Sequence, residues 1–247
     1  MHSGSDSNPR ARGLRLAGRL LIGGMVAEVV ATAFHPAHQD PNDHPAVFRE
    51  YAADGTWIAT HVAQFAAGLV IFAGLVVLYR VLRSAAPRSA LPTAALVATA
   101  AAAAALAALQ AIDGVALKHA VDAWAAAPAA EKASTLADAE LVRALEWGAN
   151  AFFRLLQGTT VALFGVAVAR AGVAPRWLGW TAATAGAGYA AAGVAVAADG
   201  FSPTAMTLAL VSDPLFLVFA LGLLVVGVRR LGPARIVPAA RVPEPSR

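Results

Sequence analysis

Six long apolar runs, separated by short clusters of arginine, dominate this chain of 247 residues. Each run approaches or exceeds the ~20 residues that an α-helix needs to cross a bilayer. The runs cover residues 14–34, 57–79, 91–117, 146–169, 177–198 and 203–228. Only helices and closed barrels satisfy backbone hydrogen bonds in lipid, and runs so long and rich in Ala and Leu are helical. The sequence therefore predicts an all-α fold, a polytopic membrane bundle of about six transmembrane helices.

The amino-acid composition excludes several kinds of site and argues against one class of binding partner. The chain is 58% hydrophobic and 14% charged, which is typical of a protein whose solvent is membrane lipid. It has no Cys, so disulfides, Cys-based metal sites and thiol nucleophiles are excluded. The net charge of +4 comes from arginines between the apolar runs rather than along one polar face, which argues against nucleic acid as a partner. Composition leaves the oligomeric state open.

The arginine clusters also predict an orientation. They lie before the first run, between the second and third, between the fourth and fifth, and after the sixth, whereas the intervening loops are acidic. By the positive-inside rule, both termini face the cytoplasm. The preference for Arg over Lys and the abundance of Ala indicate a bacterial protein, so we expect the bacterial inner membrane.

The same pattern divides the chain into regions. We expect a disordered cytoplasmic tail over 1–13, a transmembrane domain over 14–230 and a Pro-rich cytoplasmic tail over 231–247. The outer loops of the transmembrane domain cover residues 35–56 and 118–145, and each contains a stretch with helical character. An alternative is a cleaved signal peptide, because small residues at 31–33 imitate a cleavage site.

Polar side chains inside the apolar runs are the best pointers to a function, because they are costly in lipid. Along each helix they share a face, so we expect them to line a polar, outward-facing site that binds a small polar or anionic ligand or an ion. The candidate ligand-binding residues are Glu28, His61, Gln64, Gln110, Asn150, Arg154 and Gln157. A structural alternative is that Arg154 pairs with Glu28 or Asp213 and fixes helix register.

Histidines and carboxylates near the outer surface raise the possibility of a divalent metal such as zinc. The candidate metal ligands are His35, His61, Asp113 and His119. His61 and Asp113 each lie about one turn inside the outer boundary of their runs, so their depths agree to within about 5 Å. We therefore expect the two side chains to approach each other, with Glu146 or His35 completing the group.

Other functions remain open. In an intramembrane enzyme acting on a lipid or isoprenoid, Asp113, Glu146 or Asp213 would serve as a catalytic acid. In a secondary transporter, a helix break at Asp213-Pro214 and Arg154 would form the site. A third alternative is a non-catalytic subunit held by a glycine face at Gly179, Gly186 and Gly193. None of the common catalytic or nucleotide-binding motifs is present in the sequence.

Short motifs at the helix ends carry a family resemblance. They are Arg-Leu-Ala-Gly at 15–18, Gly-Leu-Val-Val-Leu-Tyr-Arg at 74–80 and Pro-Arg-Trp-Leu-Gly at 175–179. With these motifs the chain resembles uncharacterised six-helix bacterial membrane proteins that are grouped as a domain of unknown function. The resemblance covers most of residues 14–230 and implies a six-helix bundle, without implying an activity.

Overall fold

A computed structural model of the protein describes residues 8–230, and this part of the chain is helical. The helices are α1 (Pro9–Thr32), α2 (His44–Ala53), α3 (Trp57–Ala85), α4 (Leu91–Ala111), a π-helical segment (Ile112–Leu117), α5 (Lys118–Ala126), α6 (Lys132–Ala171), α7 (Arg176–Asp199) and α8 (Pro203–Arg229). The prediction of an all-α bundle is confirmed. The predicted tail at 231–247 and the first seven residues of the tail at 1–13 lie outside the described residues.

Five stretches of the described chain are long and apolar enough to cross a membrane: α3, the continuous helical stretch Leu91–Ala126, α6, α7 and α8. The protein is therefore an integral membrane protein. Helix α1, predicted as the first span, is not among the five, and its first half carries four arginines at 10, 12, 15 and 19. It nevertheless packs along α3 and α8 as part of the bundle.

The six long helices form a closed ring in the order α1, α3, α4, α6, α7, α8 and back to α1. Their shared core includes Leu21, Leu78, Phe164 and Phe219, each fully buried. At one end of the ring lie residues 33–56 and 112–131, which include α2 and α5, and we call this the loop end. A second apolar cluster closes the loop end, with Phe48 of α2, Trp57 of α3 and Leu117 of the π-helical segment at its centre.

Glycines bring α6 and α7 into direct backbone contact, as the seven-residue spacing of Gly179, Gly186 and Gly193 predicts. A Cβ atom added at Gly186 would overlap the backbone of Ala162, and one at Gly179 would overlap the backbone of Ala169. On the facing helix, Gly165 is equally close to α7. The glycine face of α7 therefore forms a contact within the chain, between two neighbouring helices of the ring.

Two helix starts differ from the regions predicted above. Helix α1 begins at Pro9, within the predicted tail, because the Asn8 side chain accepts hydrogen bonds from the backbone N–H groups of Arg10 and Ala11 and caps the helix. The predicted outer loop at 118–145 is mostly helical. The chain continues from α4 through the π-helical segment into α5, and α6 begins at Lys132 and runs on into the membrane.

In the loop at 35–56, Asp43 caps α2 by accepting a hydrogen bond from the N–H of Ala46. This agrees with the helical character expected for that loop.

Candidate functional site

The central residue of the candidate site is His61, in the second turn of α3, and its side chain is only 2% exposed. Its Nδ1 lies 2.8 Å from the carbonyl oxygen of Trp57, one turn earlier in the same helix. A carbonyl only accepts hydrogen bonds, so Nδ1 carries the proton and donates it. In the neutral ring, Nε2 therefore presents a lone pair, which is the form in which histidine coordinates a metal.

Asp113 approaches His61 from the π-helical segment that follows α4. Such segments are rare and often mark functional sites, because the extra residue in the turn re-aims nearby side chains. The indole Nε1 of Trp57 donates a 3.0 Å hydrogen bond to the backbone carbonyl of Asp113. Trp57 therefore positions both members of the pair, His61 through its carbonyl and Asp113 through its indole.

Gly114 allows the two helices to come this close. A Cβ atom added at Gly114 would lie 2.5 Å from Cβ of His61, closer than real Cβ contacts. Only glycine permits the observed approach of the π-helical segment to the His61 ring.

His35 completes the group from the turn that follows α1. Its Nδ1 lies 2.8 Å from the carbonyl of Pro36, which again assigns the proton to Nδ1 and the lone pair to Nε2. Burial lowers the pKa of His35, so the ring is uncharged near neutral pH. The ring packs 4.8 Å from Trp57 and 5.2 Å from His61, measured between ring centroids.

One ligand atom from each of His35, His61 and Asp113 can be chosen so that all three lie within 4.8 Å of one another. We call these three residues the His/Asp cluster. The structure thus brings His61 and Asp113 together as the sequence predicts, and the third member is His35.

Nε2 of His61 is 3.2 Å from Oδ2 of Asp113, yet it makes no hydrogen bond in the described structure. Oδ1 of Asp113 is also buried without a hydrogen-bond partner. A lone pair facing a carboxylate oxygen is repulsive, and either a proton on Nε2 or a metal cation between the two groups removes this repulsion.

The cluster fits a divalent metal in ligand type and in part of its geometry. Two ligands of a tetrahedral zinc ion at ~2.1 Å are separated by about 3.4 Å, close to the 3.2 Å between His61 and Asp113. The widest separation, 4.8 Å, must close by roughly 1.4 Å to reach the same geometry. His35 lies on a turn outside the helices, so it is the least constrained of the three ligands and is the one that must move.

Glu146, the other residue expected to complete the group, is instead held by Arg143. The two side chains form an ion pair and are 2% and 3% exposed. The second terminal nitrogen of the Arg143 guanidinium, Nη2, donates a 3.1 Å hydrogen bond to the carbonyl of Pro41, and the guanidinium lies over the Phe201 ring. This arginine therefore ties the 33–43 segment to α6 and supports the turn that carries His35.

A second polar group lies deeper in the bundle. The hydroxyl of Tyr189 donates a 2.7 Å hydrogen bond to Asp213, and Nε of Arg154 donates a 2.7 Å hydrogen bond to Asn150. Within the described residues, Arg154 forms no ion pair with Glu28 or Asp213, so the direct pairing considered above is not observed. Helix α8 continues through Pro214 without a break, contrary to the helix break considered for a transporter.

The remaining predicted site residues are not members of the His/Asp cluster. Gln64 donates a 3.1 Å hydrogen bond to Thr32 and joins α3 to α1. Glu28 and Gln157 are half-buried, and Gln110 is half-buried with its Oε1 unpartnered. His119 is exposed on α5 and takes no part in the cluster, and the adjacent Asp122 pairs with Lys118 at 2.6 Å.

Sequence reasoning missed the residues that position the cluster. The π-helical segment has no sequence signature, and Gly114 looks like an ordinary glycine in an apolar helix. The spacing of Trp57 and His61 by four residues is visible in the sequence, but it does not reveal that the indole reaches another helix. The role of Tyr189 was also missed, because it is a single hydroxyl in a run of Ala and Gly.

Comparison with known proteins places the whole bundle in one family. A family model described as "Domain of unknown function (DUF4386)" matches residues 16–228, which include the His/Asp cluster. No curated protein and no solved structure matches the chain. The chemistry of the cluster is therefore the basis for a functional assignment.

Proposed function

We propose that this chain, which belongs to the DUF4386 family, is a membrane protein that binds a divalent metal such as zinc through His35, His61 and Asp113. The observation that carries the proposal is the close approach of three ligand atoms from three separate segments of the chain. Two imidazoles and one carboxylate form a ligand set that suits zinc and related borderline metals.

The surroundings of the cluster support metal binding over a simple ion pair. Both imidazoles are fixed by backbone carbonyls at Nδ1, which is how metal-binding histidines are commonly oriented. Nε2 of His61 faces Asp113 without a hydrogen bond, so the contact lacks the usual geometry of a His–carboxylate pair. A metal between the two groups removes the repulsion and satisfies both.

Three protein ligands leave one position of a tetrahedral metal open. Structural zinc sites use four protein ligands, whereas sites with three keep a position for water or a bound molecule. We infer that the open position receives a small ligand.

The arginine clusters support an outward orientation for the site. Arg10 of α1 donates a 2.8 Å hydrogen bond to the carbonyl of Ser84 at the end of α3, so the basic start of α1 meets the basic end of α3. This end of the ring is opposite the loop end. By the positive-inside rule, we infer a cytoplasmic location for the basic end and an outward-facing His/Asp cluster in a bacterial inner membrane.

Titration of the metal-free protein with zinc tests the proposal. The protein is purified in mild detergent, stripped with a chelator and titrated by isothermal calorimetry. We expect one site per chain, and we expect His61→Ala and Asp113→Asn each to weaken binding at least about 10-fold. Because the two residues share one ion, their effects should be non-additive in the double variant.

The matched control is His119→Ala, which removes an exposed histidine outside the cluster. It should bind zinc like the unmodified protein. Equal affinities for His61→Ala and His119→Ala, or absence of a stoichiometric site, would refute the proposal.

A further inference from the structure

A groove of about 290 Å³ lies between α3 and α4, directly beside the His61 ring. It is lined by Ile58, His61, Val62, Phe65, Ala107, Gln110, Ala111 and Val115. Three lining residues, Ile58, Val62 and Val115, are 42%, 60% and 42% exposed. Since both helices belong to membrane-crossing stretches, the groove opens toward lipid.

The groove is apolar along its length and polar where it meets the interior. Its two polar lining residues are His61 and Gln110. Nε2 of His61 and Oε1 of Gln110 are both buried and without a hydrogen-bond partner in the described structure. Oε1 of Gln110 is an acceptor, and so is Nε2 of the neutral His61 ring, because Nδ1 carries its proton. These two buried atoms therefore lack a donor or a cation.

We infer that the groove lies near the boundary between headgroups and hydrocarbon, because it is at the loop-end terminus of a helix long enough to cross the membrane. It begins at the first turn of α3, and from Ile58 to Phe65 it runs about 10 Å along the helix axis. A lipid lying there places its polar end near the loop end and its chain along the apolar wall. Among the described residues, the groove lining includes no Lys or Arg, and Asp113 adds a carboxylate behind His61, so the wall of the metal-free protein offers no fixed positive charge to a phosphate.

We propose that the groove binds a membrane lipid with a free hydroxyl at its polar end, such as a diacylglycerol. The hydroxyl donates a hydrogen bond to Oε1 of Gln110, and the hydrocarbon chain lies against Val62 and Phe65. The inference deepens the proposed function, since it places a lipid alcohol next to the open position of the metal at His61. The groove itself does not depend on the metal.

The test uses the metal-free protein in nanodiscs and compares two photoreactive lipids, a diacylglycerol with a diazirine in its acyl chain and the O-methyl ether of the same molecule. We expect the alcohol to label peptides of α3 and α4 at least about five-fold more than the ether, because the ether has no donor for Gln110. In Gln110→Leu the two probes should label equally. Equal labelling by alcohol and ether in the unmodified protein would overturn the proposal, as would equal labelling by a phospholipid carrying the same diazirine.

Two tryptophan variants locate the site. Val62→Trp fills the groove and should lower labelling by the alcohol about five-fold, whereas Val97→Trp places the same side chain at a 66% exposed position of α4 outside the groove and should leave labelling unchanged. Equal labelling of the two variants would overturn the proposal.

Zinc binding, measured on the same samples, separates the two proposals. Both tryptophan variants should bind zinc normally. If the unmodified protein binds no zinc but the labelling pattern holds, the metal site is wrong and the lipid groove stands.

Discussion

Replacing Gly114 with Ala tests how the fold builds the His/Asp cluster. The added Cβ atom would lie 2.5 Å from Cβ of His61, and ordinary contact begins at 3.4 Å, so the two segments must separate by about 0.9 Å. Metal–ligand distances tolerate changes of only about 0.2 Å. We therefore expect Gly114→Ala to weaken zinc binding roughly 10- to 100-fold, the range found when the supports of metal ligands are removed.

The control for this prediction is Gly148→Ala in α6, where a new Cβ meets nothing within 4 Å. An Ala in an open helical position should stabilise the protein by roughly 0.5–1 kcal/mol and leave zinc affinity unchanged. Calorimetry on the detergent-purified variants measures the affinities, and thermal unfolding shows whether each variant is folded. If Gly114→Ala binds zinc as tightly as Gly148→Ala, the close packing of the π-helical segment against His61 does not control the site.

Three further predictions concern the surroundings of the cluster and the bundle. Trp57→Phe removes the indole donor to the Asp113 carbonyl and should weaken zinc binding about 10-fold while retaining the ring packing; an unchanged affinity in calorimetry would contradict this. Gly186→Ala forces a Cβ into the backbone of α6 and should lower the free energy of unfolding by about 1–3 kcal/mol; an unchanged melting temperature would contradict the direct helix contact. At the loop end, burial raises the pKa of Glu50, but hydrogen bonds from the His38 ring and from two backbone N–H groups outweigh this effect and hold the pKa below 4.5. The ionised Glu50 therefore stabilises the fold above pH 4.5, and this stabilisation is lost as the pH falls further. Melting curves of His38→Ala and the unmodified protein should therefore differ above about pH 4.5, where Glu50 is ionised, and converge in stronger acid; a gap that widens in strong acid would contradict this.

The meeting of His61 and Asp113 was predictable because it depends on depth in the membrane. Helix length and the hydrophobic pattern fix how far each residue lies from the end of its helix, and residues at equal depth on adjoining helices meet if both face inward. Helical periodicity also predicts that the polar residues of α6 share an inward face, and Glu146 is buried there beside Arg143.

Other parts of the site depend on tertiary contacts that no local pattern encodes. From the sequence, Glu146 and His35 were equally good candidates for the third member of the cluster. Which of them joins it depends on the hydrogen bond between Arg143 and Pro41, two residues that are far apart in the sequence. The π-helical turn at Asp113 is likewise stabilised by packing against Trp57 rather than by the propensities of residues 112–117.

X-ray absorption spectroscopy of the zinc-loaded protein shows directly whether His35, His61 and Asp113 bind one metal ion. We expect one zinc per chain with two imidazole nitrogens and one carboxylate oxygen at about 2.0–2.2 Å, and loss of one imidazole contribution in His61→Ala. A spectrum with only water-like oxygen ligands, or one that is unchanged in His61→Ala, would show that these residues do not bind the metal.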